Sequence, residues 1–284
     1  EATFKDATKF QGHGLGAGWS IDKVTTFTDV FSGAAALVSC SKRAIADAWE
    51  SNSAFTDTAA TWKDEVCTLT PQTDAEFKEA TWDWVQDIGT AASKWGTIGD
   101  WDVSNVKDFD YALSPSRNEA GGVHSADGNP KAKFFAGEGL QKWITTSATS
   151  LRALFYQAID MNIDVGGWDV TKVTTMAFAF ESAGKFAGTG LSLWKTPLLT
   201  NMESTFDEAR NMNADLGGWS LAKVTTLKKT FYYAKKFAGS GLAKWNTASL
   251  KTMQFTFHYA VVMNSNLGTW DVSKVTTLHQ TFED

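Results

Sequence analysis

Gly167-Trp168-Asp169-Val170-Thr171-Lys172-Val173-Thr174-Thr175-Met176-Ala177-Phe178-Ala179-Phe180 sets four large apolar residues at fixed offsets: Trp168, then Val173, Met176 and Phe180 at plus five, plus eight and plus twelve. The pattern recurs along the chain. Trp194 leads to Leu199, Met202 and Phe206; Trp219 to Val224, Leu227 and Phe231; Trp245 to Leu250, Met253 and Phe257; Trp270 to Val275, Leu278 and Phe282. Upstream, Trp143 leads to Ala148, Leu151 and Phe155, Trp101 to Val106, Phe109 and Leu113, and Trp19 to Val24, Phe27 and Phe31. From Trp143 to Trp270 the gaps run 25, 26, 25, 26 and 25 residues. A fixed period of this size is the mark of a repeat array, in which each unit packs on its neighbours.

The alternating gaps reflect two connectors. Lys185-Phe186-Ala187-Gly188-Thr189-Gly190-Leu191 returns as Lys236-Phe237-Ala238-Gly239-Ser240-Gly241-Leu242, whereas Met212-Asn213-Ala214-Asp215-Leu216-Gly217-Gly218 returns in altered form as Met263 to Thr269. The duplicated unit is thus a pair of turns, 51 residues long. Spacings of three and four suit a short helical face, while the β-branched Val-Thr-Thr runs suit a strand. The sequence predicts a repeat solenoid with a short parallel strand and a short helical or irregular segment in each turn.

Two segments interrupt the period. Between Gly33 and Lys94 lie two expected helices, Ser41 to Glu50, capped by Ser, and Thr73 to Ile88, which opens with Thr73 and Glu76 in capping-box spacing. The second interruption, Ser114 to about Lys133, is rich in Gly, Asn, Asp and Ser and reads as a surface loop.

Bulk properties exclude several classes of function. The chain has 284 residues, a net charge of −6 and a pI of about 5.3, with basic residues dispersed among the acids. Nothing in that balance suits nucleic acid, which needs a clustered basic surface. No apolar run approaches the ~20 residues that cross a bilayer. The opening Glu1-Ala2-Thr3-Phe4-Lys5-Asp6 has neither the basic start nor the apolar stretch of a signal peptide, and a processed N-terminus would look the same.

Gly167 to Met176 and Trp270-Asp271-Val272-Ser273-Lys274-Val275-Thr276-Thr277-Leu278 resemble the repeats of the BspA-like, bacterial-surface-protein type of leucine-rich repeat, although the second lacks a Gly directly before its Trp. The resemblance covers most of the chain. It implies a leucine-rich-repeat-like fold, an extracellular or cell-surface setting after signal-peptide removal, no catalysis, and a role in adhesion or protein contact. By the same resemblance, Ser39 through Trp62 to Cys67 matches the cap that ends an array, and Phe77 through Trp101 to Val106 the helical cap that begins one. This divides the chain into residues 1–67, an array end with its cap, and 73–284, a cap followed by an array with the loop insertion at about 114–133. Cys40 and Cys67 bracket the first cap, and the implied oxidising compartment favours a disulfide between them over two buried thiols.

The order of these parts is unusual. Thr3 to Phe10 matches Phe180 to Phe186 in phase, and the chain stops just past Phe282, at the phase where it began. Phe4, Phe10 and Leu15 of one copy are therefore expected to continue the stack formed by Trp270, Val275, Leu278 and Phe282 of another, a head-to-tail contact that builds filaments. The same phase fits a stretch of a longer repeat polypeptide, or ends that fray. Partners are expected to be the chain itself or other surface proteins.

Little chemistry competes with this reading. His13, His124, His258 and His279 have no paired-ligand spacing, and no nucleophile elbow, phosphate loop or dinucleotide fingerprint occurs. Gly12-His13-Gly14-Leu15-Gly16 aligns with a connector and reads as turn geometry. Asp164, Asp215 and nearby Asn residues suit Asx turns more simply than calcium. An enzyme would have to work through Asp83, Asp87 and His124, with no constellation to support it. No cofactor or metal is called for. Thr26, Thr175, Thr226 and Thr277 share one column, and a ladder of hydroxyls could face ice or a polysaccharide or carry O-linked sugars; β-branched Thr also merely suits strands. No Asn-x-Ser/Thr acceptor is present. The expected function is a non-enzymatic structural or adhesive protein, the alternative a monomeric ligand-binding module using one lateral face.

Overall fold

The computed structural model describes residues 4–8, 21–34, 37, 39–49, 51–55, 61–63, 67–71, 73–118 and 128–283. They fall into two compact units, Glu1–Thr70 with Asp87–Trp101, and Pro71–Gln86 with Asp102–Asp284. The segment Asp87–Trp101 groups with the first unit although α2, which precedes it, groups with the second.

The strand-plus-helix solenoid expected from the spacing is not what forms, and no leucine-rich-repeat strand is present among the described residues. There is no β-strand and no sheet there, and the helices α1 (Ser39–Trp49), α2 (Asp74–Gln86) and α3 (Ile88–Trp95) all lie outside the 25–26-residue repeats. Successive repeats touch at isolated parallel bridges, one residue each, running Asp108, Ser150, Thr175, Asn201, Thr226, Thr252 and Thr277. All seven occupy the plus-seven position.

The reason lies in the backbone beyond that residue. In the Trp168 turn the amides of Met176, Phe178, Phe180 and Ser182 donate to the next turn's Asn201, Glu203, Thr205 and Asp207 carbonyls, at 3.1, 2.9, 2.9 and 2.7 Å. The intervening amides stay within the turn: Ala179 donates to Met176 O, Glu181 to Phe178 O and Ala183 to Phe180 O. Every second peptide plane thus points along the stack, and the others close tight turns. Such alternation requires a left-handed residue at plus ten and plus fourteen. Phe178 and Ser182 have φ of 63° and 58°, and Ala153, Gln157, Ser204, Glu208, Lys229, Tyr233, Phe255 and Tyr259 repeat the pattern. An extended stretch is cut at each of these points, so no ladder longer than one residue can grow.

These left-handed residues are not glycine, and the conformation costs a side-chain-bearing residue about 1–2 kcal/mol. Ser182→Gly should therefore raise stability, by roughly 0.5–1 kcal/mol after the greater freedom of glycine in the unfolded chain is subtracted. Ser182→Val should lower it. Urea unfolding of both variants checks the sign.

The core of the second unit is made of columns. Trp143, Trp168, Trp194 and Trp219 stack at 6.1, 6.5 and 5.6 Å, and each indole N–H from Trp168 onward donates to a carbonyl in the preceding turn, as Trp194 does to Val165 O at 2.8 Å. Phe155, Phe180, Phe206, Phe231 and Phe257 form a second column at 5.5–5.7 Å. The paired connectors explain the 51-residue period. A Cβ on Gly190 would come within 2.1 Å of Gly166 N, and one on Gly241 within 2.1 Å of Gly217 N, so the second glycine of each Gly-x-Gly connector is held against the backbone of the other connector.

Helix α2 covers the first turn of this array. Thr73 Oγ1 accepts the Glu76 amide at 3.1 Å, and Asp74 Oδ1 accepts the Lys107 and Asp108 amides at 2.8 and 3.2 Å. In later turns the plus-six amide instead finds the preceding turn, as Thr174 finds Thr149 O. The carboxylate of Asp74 thus substitutes for a missing turn. The single helix expected over Thr73 to Ile88 is divided: Asp87 takes an extended backbone and caps α3 through Gly89 and Thr90. The insertion also differs from a plain surface loop, because its described ends are buried. Arg117 is 1% exposed, with its guanidinium donating to Lys78 O, Thr81 Oγ1 and Ala112 O, and Asn129 precedes a short 3-10 turn at Pro130–Phe134.

In the first unit, α1 packs against α3, and Cys40 of α1 is joined to Cys67 by a disulfide. Phe27, Phe31, Trp49, Phe55 and Trp62 form its aromatic centre. Phe4 stacks on Phe31 at 5.5 Å, its amide donates to Val30 O, and that of Asp6 (φ 55°) donates to Ser32 O. This is the plus-twelve and plus-fourteen register of the second unit.

Candidate interaction surface

The peptide alternation that builds the stack also decides which side chains reach its flank. Residues at plus nine, ten, thirteen and fourteen lie in the tight turns, and equivalent positions in successive turns form columns. At plus thirteen stand Tyr156, Glu181, Asp207, Tyr232 and His258, a titratable residue in each turn from Trp143 to Trp245. Neighbouring charges are largely committed across or within turns: Lys228 Nζ lies 2.8 Å from Glu203, and Arg210 Nη2 lies 2.8 Å from Glu208. Arg152 sits over the rings of Tyr111 and Phe178.

Glu181 and Asp207 differ from these. Asp207 is 5% exposed and accepts from Ser204 Oγ at 3.3 Å; Glu181 is half-buried. Among the described residues neither makes an ion pair. Burial, and then the charge of Asp207, pushes the Glu181 carboxyl up to about 8. Burial pushes Asp207 up to about 7, opposed by Lys229 and reinforced by Glu208. Lys229 lies over the Tyr232 ring, 4.9 Å from its centroid, instead of on either carboxylate.

Further along the strip the rings cover one another. Tyr232 stacks on His258 at 5.0 Å, and Tyr233 lies tilted against Tyr259 at 4.4 Å. Their faces are largely occupied by one another. Beside the acids, Lys133, Gln157, Ile159, Ser182, Glu208 and Arg210 line an open hollow of about 340 Å³ with both charge signs on its rim. The sequence contains a signal for this strip, since the plus-thirteen column is polar in every turn of the alignment.

The residues singled out from sequence are distributed differently. Phe10, Leu15, His13 and His124 lie outside the described residues. In the final turn Leu278 and Phe282 are 54% and 58% exposed, and Trp270 and Val275 are half-buried, whereas the equivalent Leu227 and Phe231 are fully buried. The hydroxyls of Thr175, Thr226 and Thr277 face their own chain, each accepting from the amide two residues on, and that of Thr26 meets Thr28. The plus-six hydroxyls of Thr174 and Thr200 are the exposed ones, and they donate to the preceding turn's carbonyl. Asp164 and Asp215 each accept the amide of a glycine two residues on, Gly166 and Gly217, at 2.8 Å. Asp83 and Asp87 lie in α2 and at the cap of α3, and His258 is buried with Nδ1 3.9 Å from Glu283.

No curated protein and no solved structure matches the chain. A family description does match, over residues 1–66, 130–242 and 200–284, and omits the segment that holds α2, α3 and the Trp101 turn. The matched segments carry most of the repeats, and they make up most of the sequence. On that coverage the chain belongs to the family described as Mycoplasma protein of unknown function, DUF285.

Proposed function

We propose that this is a non-enzymatic, extracellular protein that holds other proteins, with turn-on-turn stacking as its mode of contact. The observation that carries the proposal is the complementarity of each turn's two edges. One edge offers four aligned N–H groups at plus eight, ten, twelve and fourteen, and the other offers carbonyls at plus seven, nine, eleven and thirteen. An exposed edge of this kind is a template for another chain. A following turn, whether from residues beyond Asp284 or from a second copy, would cover Leu278 and Phe282 and pair these amides. The Cys40–Cys67 disulfide supports an oxidising setting, and the resemblance to BspA-like surface proteins supports adhesion as the role. Electron microscopy of the purified chain, with its mass measured across a concentration series, tests the reading. Filaments with an axial repeat of one subunit are expected. A monomer at every concentration would remove self-stacking and leave the lateral strip as the contact surface.

A further inference from the structure

We propose that Glu181 and Asp207, two acids on adjacent levels of the plus-thirteen column that make no ion pair among the described residues, render the contact between the Trp168 and Trp194 turns sensitive to pH. This inference lies within one array and holds whatever the protein's partner. Both residues occupy plus thirteen in adjacent turns, and the Ser182 amide, next to Glu181, donates to the Asp207 carbonyl at 2.7 Å. The backbone bond therefore sets the two residues on neighbouring levels of one column. Like charges held together in a partly buried setting favour retention of a proton.

The surroundings leave the pair without a full counter-charge. Lys229 is the cation that acts on both, and it sits over Tyr232. Lys228 and Arg210 are held by Glu203 and Glu208, and those two acids add negative potential at Glu181. Tyr156 and Tyr232, at plus thirteen in the flanking turns, feel the same field, and their phenols are pushed upward, first by burial. Ionisation of both acids, with Lys229 as the cation that acts on them, leaves a net negative charge inside the stack.

The sign follows from the raised values, about 8 for Glu181 and about 7 for Asp207, against ordinary values of 4.5 and 3.8. Between those limits the folded chain binds more protons than the unfolded chain, so stability falls as pH rises. The contribution is fully present below the unfolded values and is lost by the time pH passes the folded ones. Asp169 and Asp271, whose carboxyls are lowered by hydrogen bonds from Thr171 and Ser273, act in the opposite sense and below this window.

Thermal unfolding of the full chain from pH 5 to pH 9 should show the midpoint falling by about 5 °C or more. Glu181→Gln and Asp207→Asn, both near-isosteric, should flatten that slope and unfold at higher temperature than the parent at pH 8.5. Carboxyl carbon NMR of the unmutated chain reads the same groups without depending on a variant folding. Two carboxyl signals titrating above pH 6, assigned by their loss in the variants, would support the pair. All carboxyls titrating below pH 5, or variants that keep the parental slope, would overturn it.

Discussion

Phe231→Ala will lower stability by about 3–5 kcal/mol, the range for deleting a large aromatic from a core that cannot collapse around the space. Phe231 is fully buried and touches rings on every side: Phe206 at 5.7 Å, Phe257 at 5.5 Å, Phe237 at 4.2 Å and Trp245 at 6.2 Å. The backbone cannot close the gap, because the turns above and below are held by amide bonds at plus eight to plus fourteen. At about 2–4 °C per kcal/mol, the unfolding midpoint should drop by roughly 6–20 °C. Phe282→Ala is the control. The same column position is 58% exposed there, and the change should cost less than about 1 kcal/mol. Equal losses at the two positions would mean that the column does not carry the stability of the array.

The second large effect is expected at Arg117. Its guanidinium binds three acceptors, two main-chain carbonyls and the Thr81 hydroxyl, at 2.9–3.2 Å, and Trp82 lies 5.6 Å from it. No carboxylate opposes it among the described residues, and burial alone brings its pKa down to about 10. Arg117→Ala leaves the buried Ala112 carbonyl and Thr81 hydroxyl without this donor and opens a void. A loss of about 3–4 kcal/mol follows from the two terms together. Arg117→Met keeps most of the volume and removes the desolvated charge, so it should lose only about 1–2 kcal/mol. Chemical unfolding of the pair separates packing from hydrogen bonding. A Met variant as stable as the parent would show that the three bonds merely offset the burial of the charge.

The apolar columns were fully legible in the sequence, because Trp, Phe and the aliphatic positions between them each face the same environment in every turn. The connectors were legible too, and Gly166, Gly190, Gly217 and Gly241 stand where two backbones meet. What the sequence did not disclose was the path of the chain between plus eight and plus fourteen. Left-handed residues are ordinarily announced by Gly or Asn. Here Ala153, Phe178, Lys229 and Tyr259 take that conformation because stacking imposes it. Val-Thr-Thr runs therefore read as strand, and the local propensity was overridden by contacts one turn away. The break at Asp87 was readable as a helix cap, and was obscured by the continuous apolar spacing of Phe77, Ala80, Trp84 and Ile88. Glu181 and Asp207 carry no motif, and their character comes from burial, which no single-chain pattern states.

The repeated peptide geometry also decides how such an array would bear a load. Its inter-turn bonds lie along the direction of stacking, so traction on the two ends would strain the outermost turn first and peel it before the next is disturbed. Equivalent Phe rings on adjacent levels sit 5.5–5.7 Å apart, while one released turn of 25 residues spans roughly 80–90 Å when drawn out. Each detachment would lengthen the tether many times over and leave the remaining turns intact, so the molecule would yield in discrete steps.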